Sequence, residues 1–312
     1  MGIIEWIHYE DFDHARRLIE EIDRLHIPYV RIGFTWADWH EEHGDAWFKW
    51  LFEVLSAKAD VLPCFVYTPV HEAHKKFDRE ANDYVPYAPY FPPKHPDHYV
   101  KFIDTMISRY GSFFTHLELW NEPNNKANWD RSFDPEWHMF GDMLRRASRL
   151  AQYRGKKVVL GGLSPIDPRF LDVLHTRGAL DGIDVVGIHA FPQMTGWTTD
   201  WQGWDKNIAA VKQTLNNYGL DLPVWITEVG HSTFKNTVEE EEMQVTVFNE
   251  VLAAKAERVY WYCMFDLARE FNPTQDDERE YHLGIKHADG KPKLLYSKWL
   301  TQSQDTEQLI DK

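Results

Sequence analysis

Cysteine is nearly absent: Cys64 and Cys263 are the only two in 312 residues. That is too few for a disulfide framework, and their spacing is not that of a zinc site. Long apolar runs are also missing, since no stretch approaches the roughly 18 residues that read as a membrane span. Met1 to Tyr9 lacks the basic region, apolar stretch and small-residue cleavage site of a secretory leader. The expectation is a cytoplasmic protein, or a secreted one whose leader has been removed. Positive charge is in short supply, with 34 Lys and Arg against 49 Asp and Glu and a formal net charge of −15. Such a field repels phosphate backbones and anionic lipid headgroups, so neither nucleic acid nor a membrane is an expected partner. No Gly-rich dinucleotide or phosphate fingerprint follows a strand, and no linker or internal repeat divides the chain. Residues 1–312 are therefore expected to form one domain with no cofactor.

Aromatic residues are plentiful, at 15% of the chain with 14 Trp. They supply flat apolar faces for a core and for the walls of a wet cleft. Eight short β-branched or aromatic runs occur, at Ile3–Tyr9, Tyr29–Trp36, Val61–Thr68, His116–Trp120, Lys157–Gly161, Asp184–Ala190, Pro223–Thr227 and Arg258–Phe265. Helical patterns alternate with them. Ala15, Leu18, Ile19, Ile22 and Leu25 recur at steps of three and four, and Glu239 to Glu242 fill a first helical turn where the dipole favours acids. Strand alternating with helix calls for parallel strands joined by helical crossovers. Eight such units predict a (β/α)8 barrel; a doubly wound open sheet is the alternative.

Two long segments follow strands. His71 to Pro96 carries five prolines among Tyr84, Tyr87 and Tyr90 and cannot be a regular helix. Leu267 to Lys293 contains Asp289-Gly290, a hairpin turn dipeptide. Loops that follow strands lie at the C-terminal face of a barrel, where barrel active sites are built. Two strand ends deliver a glutamate there. The fourth strand runs into Trp120-Asn121-Glu122-Pro123, and the seventh ends in Thr227-Glu228-Val229-Gly230. Strands four and seven stand across the barrel axis, so Glu122 and Glu228 can face one another. A facing carboxyl pair is what glycosidic cleavage requires.

These two segments, in this order on these strands, resemble the retaining (β/α)8 hydrolases of glycoside hydrolase clan A, notably its β-xylosidase and cellulase-like families. The resemblance implies a glycosidase acting on an oligosaccharide or polysaccharide by double displacement. It implies Glu122 as acid/base, Glu228 as nucleophile and Asn121 as the ligand of the sugar 2-hydroxyl. It further maps Arg31 beside the nucleophile and Trp261 as the subsite floor. On the sixth strand the clan carries His-x-Tyr, where this chain has His189-Ala190-Phe191. His189 is retained and the hydroxyl is lost, with Tyr67, Tyr260 and Tyr262 as candidate substitutes. Trp36 and His71, in loops on the same face, complete the expected substrate-binding set, and Trp39, Trp129, Trp197, Trp201 and Trp204 are further candidate cleft walls. Arg31 could instead only neutralise Glu118. Two rival readings stay open: a sugar-binding barrel that has lost its rate, and a metal-dependent barrel hydrolase or isomerase using some of the 16 histidines. Oligomeric state is not legible.

Overall fold

The computed structural model describes residues 1–194, 201–269 and 277–310, with side chains as far as 304. Among them, eight parallel strands close into a barrel. In chain order these are β1 (Gly2–Glu5), β2 (Tyr29–Thr35), β3 (Asp60–Val66), β4 (His116–Leu119), β5 (Lys157–Leu163), β6 (Val185–Ala190), β7 (Val224–Val229) and β8 (Val259–Tyr262). Closure is made by β1 against β8, with Gly2, Ile3 and Ile4 opposite Tyr260, Trp261 and Tyr262. The outer ring comprises α1 (Phe12–Arg24), α2 (Gly44–Ser56), α3 (Pro96–Tyr110), α4 (His138–Tyr153), α5 (Arg169–Thr176), α6 (Trp204–Asn217), α7 (Val238–Leu252) and α8 (Leu294–Ile310).

Local chemistry sets the helix starts. Asp11 accepts the His14 amide at 2.9 Å to cap α1, and Thr237 accepts the Glu240 amide at 3.3 Å to cap α7. Pro96 opens α3, where a missing N–H costs nothing. Each helix then turns its apolar stripe onto the barrel, α1 through Ala15, Leu18 and Ile22. The prolines of the loop after β3 admit only a two-stranded hairpin, Phe77–Asp78 against Asp83–Tyr84, and the Tyr87 hydroxyl ties that loop to the Thr68 carbonyl. The Asp289-Gly290 turn forms as the sequence predicts: the His287 amide donates to Lys291 at 2.9 Å and Gly290 takes φ +86°.

Inside the barrel the side chains change character along its axis. A lower layer of Ile4, Leu62, Val159, Val185, Trp225 and Tyr260 is apolar and buried. Above it sit Arg31 and Glu118, both with no exposed surface. The apolar layer keeps water from entering below, so the charges above act in a medium where electrostatic interactions are strong. No helix among the described residues is long and apolar enough to cross a membrane.

Candidate active site

At the C-terminal end of the barrel a cavity of about 1010 Å³ opens around Glu122 and Glu228. Its walls include Trp6, Tyr67, Asn121, Phe191, Tyr262 and Asp266. The backbone there is bent into uncommon conformations. Tyr67, which follows β3, and Trp120 and Glu122, which follow β4, all have positive φ, at 65°, 68° and 42°. For residues with side chains this costs on the order of 1–3 kcal/mol each and persists only where packing enforces it. Trp120 supplies the packing. Its buried indole donates to the Asn128 carbonyl at 2.8 Å and meets Trp129 edge-on at 5.1 Å. The result is that Asn121 and Glu122 leave the strand pointing into the cavity.

Arg31 on β2 is the hub. Its Nε donates to Glu118, its Nη1 to Glu228 Oε1 at 2.6 Å and its Nη2 to Asn121 Oδ1 at 2.8 Å. The two roles offered by the sequence are therefore filled at once, because a guanidinium presents donors along both edges of a fork. Glu118 in turn accepts the Gly162 amide at 3.1 Å. Burial alone would depress Arg31, yet Glu118 and Glu228 hold it well above its ordinary value.

His189 lies between the two glutamates with no exposed surface. Its Nδ1 is 2.9 Å from Glu122 Oε1 and its Nε2 is 2.9 Å from Thr227 Oγ1. Glu228 Oε2 is 3.7 Å from the same Nδ1. One donor atom each of Glu122, His189 and Glu228 falls within 4.8 Å of the others. Burial pushes His189 down to about 4, so the ring is neutral at ordinary pH. Burial also pushes Glu122 up to about 7, against the amide of Asn125 and the charge of Arg31. Glu228 is raised as well, burial outweighing the pull of His189 and Arg31. Arg31 does pull Glu228 down, but burial is the larger effect. Phe191, which lines the same cavity, joins Met194, Cys263 and Leu283 in an apolar patch.

The structure brings Glu122, Glu228, Arg31, Asn121 and His189 together. It does not bring Trp36, His71 or Trp261 to them. Trp36 begins a one-turn helix capped by Thr35, which accepts the Asp38 amide at 2.9 Å; this turns the ring inward, 2% exposed and stacked on Phe102 at 5.7 Å. His71 stands half-exposed beside Glu72, its ring 4.6 Å from His40 and away from the cavity wall. Trp261 is fully buried, because strand alternation turns it outward onto Phe248 of α7 at 5.4 Å. Trp39, Trp129 and Trp204 likewise pack against neighbouring rings or under helices, with Trp201 against Trp204 at 4.9 Å. Trp197 lies outside the described residues. Of the tyrosines offered as substitutes for the lost hydroxyl, Tyr67 and Tyr262 line the cavity, whereas Tyr260 belongs to the apolar lower layer.

Residues the sequence reading did not single out also line the site. Trp6, just past β1, crosses the space above Gly33, where a Cβ would lie 1.9 Å from its ring. It is 6.3 Å from Tyr67, and Arg31 sits 5.9 Å from its centroid. Asn125 and Asn128 both donate to Glu122 Oε2, at 2.9 and 3.0 Å. The run Asn124-Asn125 followed by Asn128, directly after Asn-Glu-Pro, was the signal available for them. As for metals, Glu122, His189 and Glu228 are the donors a divalent cation would find. The fit is poor: Glu228 Oε1 is already held by a guanidinium, whose charge repels a cation, and both His189 nitrogens have partners.

No protein-family profile matches the chain, and no curated protein is similar to it in sequence. Solved structures share its fold. A family 39 glycoside hydrolase from the gut symbiont Bacteroides cellulosilyticus WH2 is 16% identical with a TM-score of 0.69, over 97% of this chain and 63% of that one. A monomeric β-xylosidase from Caulobacter crescentus CB15 is 15% identical with a TM-score of 0.70, over 97% and 67%. An exo-β-1,4-mannosidase from Opitutaceae bacterium strain TAV5 is 14% identical with a TM-score of 0.67, over 98% and 59%. The chain thus spans 59% to 67% of the length of these structures. The chain shares the closed (β/α)8 barrel of these glycoside hydrolase structures.

Proposed function

We propose that the chain is a retaining β-glycosidase, with residues 1–312 acting as one catalytic unit. The observation that carries the reading is the pair of carboxyl groups at the ends of β4 and β7, with oxygens within 4.8 Å. Retaining glycosidases hold theirs about 5–5.5 Å apart, and inverting ones need roughly 6.5–9.5 Å to admit a water. Glu228 attacks the anomeric carbon while Glu122 gives its proton to the departing glycosidic oxygen. Water then adds to the same carbon, Glu122 takes the water's proton, and the bond to Glu228 breaks. The elevation of Glu122 to about 7 fits a group that must give and take a proton near neutrality. Arg31 stabilises Glu228 whenever it is ionised, and Asn121, fixed by Arg31, presents its amide nitrogen to the sugar. Trp6, half-buried on Gly33, offers the flat face that Trp261 does not.

The structural neighbours make a β-linked xyloside or mannoside the substrate class to test first. A panel of aryl β-glycosides, with a 2-fluoro sugar as covalent trap and peptide mapping of the adduct, reads sugar identity and nucleophile together. The label is expected on Glu228, and Glu228→Gln is expected to lower turnover by roughly 10⁴-fold or more. Wild-type turnover in a folded Glu228→Gln variant would overturn the assignment. Tight oligosaccharide binding without turnover by the native chain would favour a binding barrel instead.

A further inference from the structure

Glu122 does not present two equivalent oxygens. Oε2 receives the side-chain N–H of Asn125 at 2.9 Å and of Asn128 at 3.0 Å. The Asn125 amide cannot be turned round, and Asn128 places its amide nitrogen on the same oxygen. The Asn125 Oδ1 accepts the Ala127 backbone N–H at 3.1 Å, and a backbone N–H only donates. The Asn128 Oδ1 accepts the Tyr67 hydroxyl at 3.2 Å, while the Trp120 indole holds the Asn128 backbone in place. Oε2 therefore has both acceptor directions filled by N–H groups and no room for a proton of its own. Oε1 faces His189 Nδ1 at 2.9 Å, on the side of Glu228.

We propose that Asn125 and Asn128 are positioning residues that reserve Glu122 Oε2 as a permanent acceptor, so that the transferable proton rides on Oε1. The inference rests on the glycosidase reading for its consequence and on hydrogen-bond geometry for its substance. With the proton on Oε1, His189 Nδ1 is the acceptor and Nε2–H donates to Thr227 Oγ1, which fixes the neutral tautomer. Once the proton has left for the glycosidic oxygen, the two amides remain as charge-stabilising donors to the carboxylate. They oppose the burial that favours the protonated form. The other ionisable groups facing Glu122 are Arg31 from β2, Tyr67 after β3, His189 from β6 and Glu228 from β7.

The test uses Asn125→Leu, at a half-buried position, and Asn128→Leu, at a buried one. Each removes a donor to the ionised form and so raises the carboxyl's titration midpoint. The alkaline limb of kcat/KM, which reports the free enzyme's acid, is expected to move up by about one pH unit in each variant. Aryl glycosides with poor leaving groups are expected to slow by about tenfold, and dinitrophenyl glycosides to stay within a factor of about two, because only the former need full protonation. A purely structural role would slow all substrates alike and leave the limb in place. A second readout does not depend on turnover: the carboxylic C=O infrared band that disappears in Glu122→Gln is titrated in wild type and in both variants. An unmoved midpoint in a folded Asn125→Leu variant overturns the proposal, whatever the activity. A shifted midpoint in a protein that hydrolyses no glycoside keeps the positioning and sinks the glycosidase reading.

Discussion

Replacing Gly162 by alanine should damage the site through a single methyl group. On β5, a Cβ at this position would lie 2.0 Å from His189 Nε2 and 2.1 Å from its Cδ2, so the ring must recede by about 1.4 Å to restore a 3.4 Å contact. It has nowhere to go. The imidazole has no exposed surface and is held at both nitrogens, by Glu122 and Thr227 at 2.9 Å each. Nor can the strand slide, since the Gly162 amide donates to Glu118 at 3.1 Å. Overpacking costs about 1–3 kcal/mol and two strained or broken hydrogen bonds about 1 kcal/mol each. The expected destabilisation is about 3–5 kcal/mol, or roughly 5–10 °C in Tm for a chain of this size. Calorimetry and urea titration measure it. Turnover should fall by on the order of 100-fold, the penalty of a misplacement of about 1 Å beside the reacting atoms. Gly155→Ala is the control, because φ there is +75° with nothing within 4 Å; it should cost about 1–2 kcal/mol of backbone strain and no activity. A Gly162→Ala protein with wild-type Tm and wild-type turnover would refute the packing of His189 against β5, and with it the geometry assigned to both glutamates.

Two further outcomes follow from burial. Glu122 is raised from its ordinary 4.5 to about 7 in the fold, so the native state binds the proton more tightly than the unfolded chain. Its contribution to stability is full below about 4.5 and is lost as pH climbs through 7. At about 1.4 kcal/mol per unit, the effect is on the order of 3 kcal/mol. Urea midpoints should therefore show Glu122→Gln gaining on wild type between pH 4.5 and 7 and level above it; a constant difference across that range would contradict the buried, proton-holding carboxyl. Trp6→Ala should raise KM about tenfold, the worth of one stacking face, with a small change in Tm, whereas Trp261→Ala should cost about 3–5 kcal/mol of stability and leave KM alone. Steady-state kinetics beside thermal melts would expose the reverse pattern.

What the sequence disclosed depended on whether a feature repeats or occurs once. Strand and helix each recur eight times, so the barrel could be read, although some edges could not: the first strand stops at Glu5 and not Tyr9, and the eighth at Tyr262 and not Phe265. The glutamates were legible because Asn-Glu-Pro and Thr-Glu-Val-Gly mark strand ends, and strand ends in a closed barrel share one face. The side a single ring takes is another matter. In β8 the choice between Trp261 and its neighbours turns on strand parity, and one residue of register sends the ring to the core or to the cavity. Pairing with Ile3 of β1 fixes that parity, and this contact spans the whole chain. Trp36 was lost to one capping hydroxyl, that of Thr35. Asn125 and Asn128 reach Glu122 only because Trp120 and Glu122 adopt positive φ, a conformation the tertiary packing of Trp120 imposes and no local propensity announces. Arg31 was weighed between Glu118 and Glu228 as though one cation takes one anion. A guanidinium buried between two strand ends can join both, and here the lower carboxylate orients the group that the upper one uses.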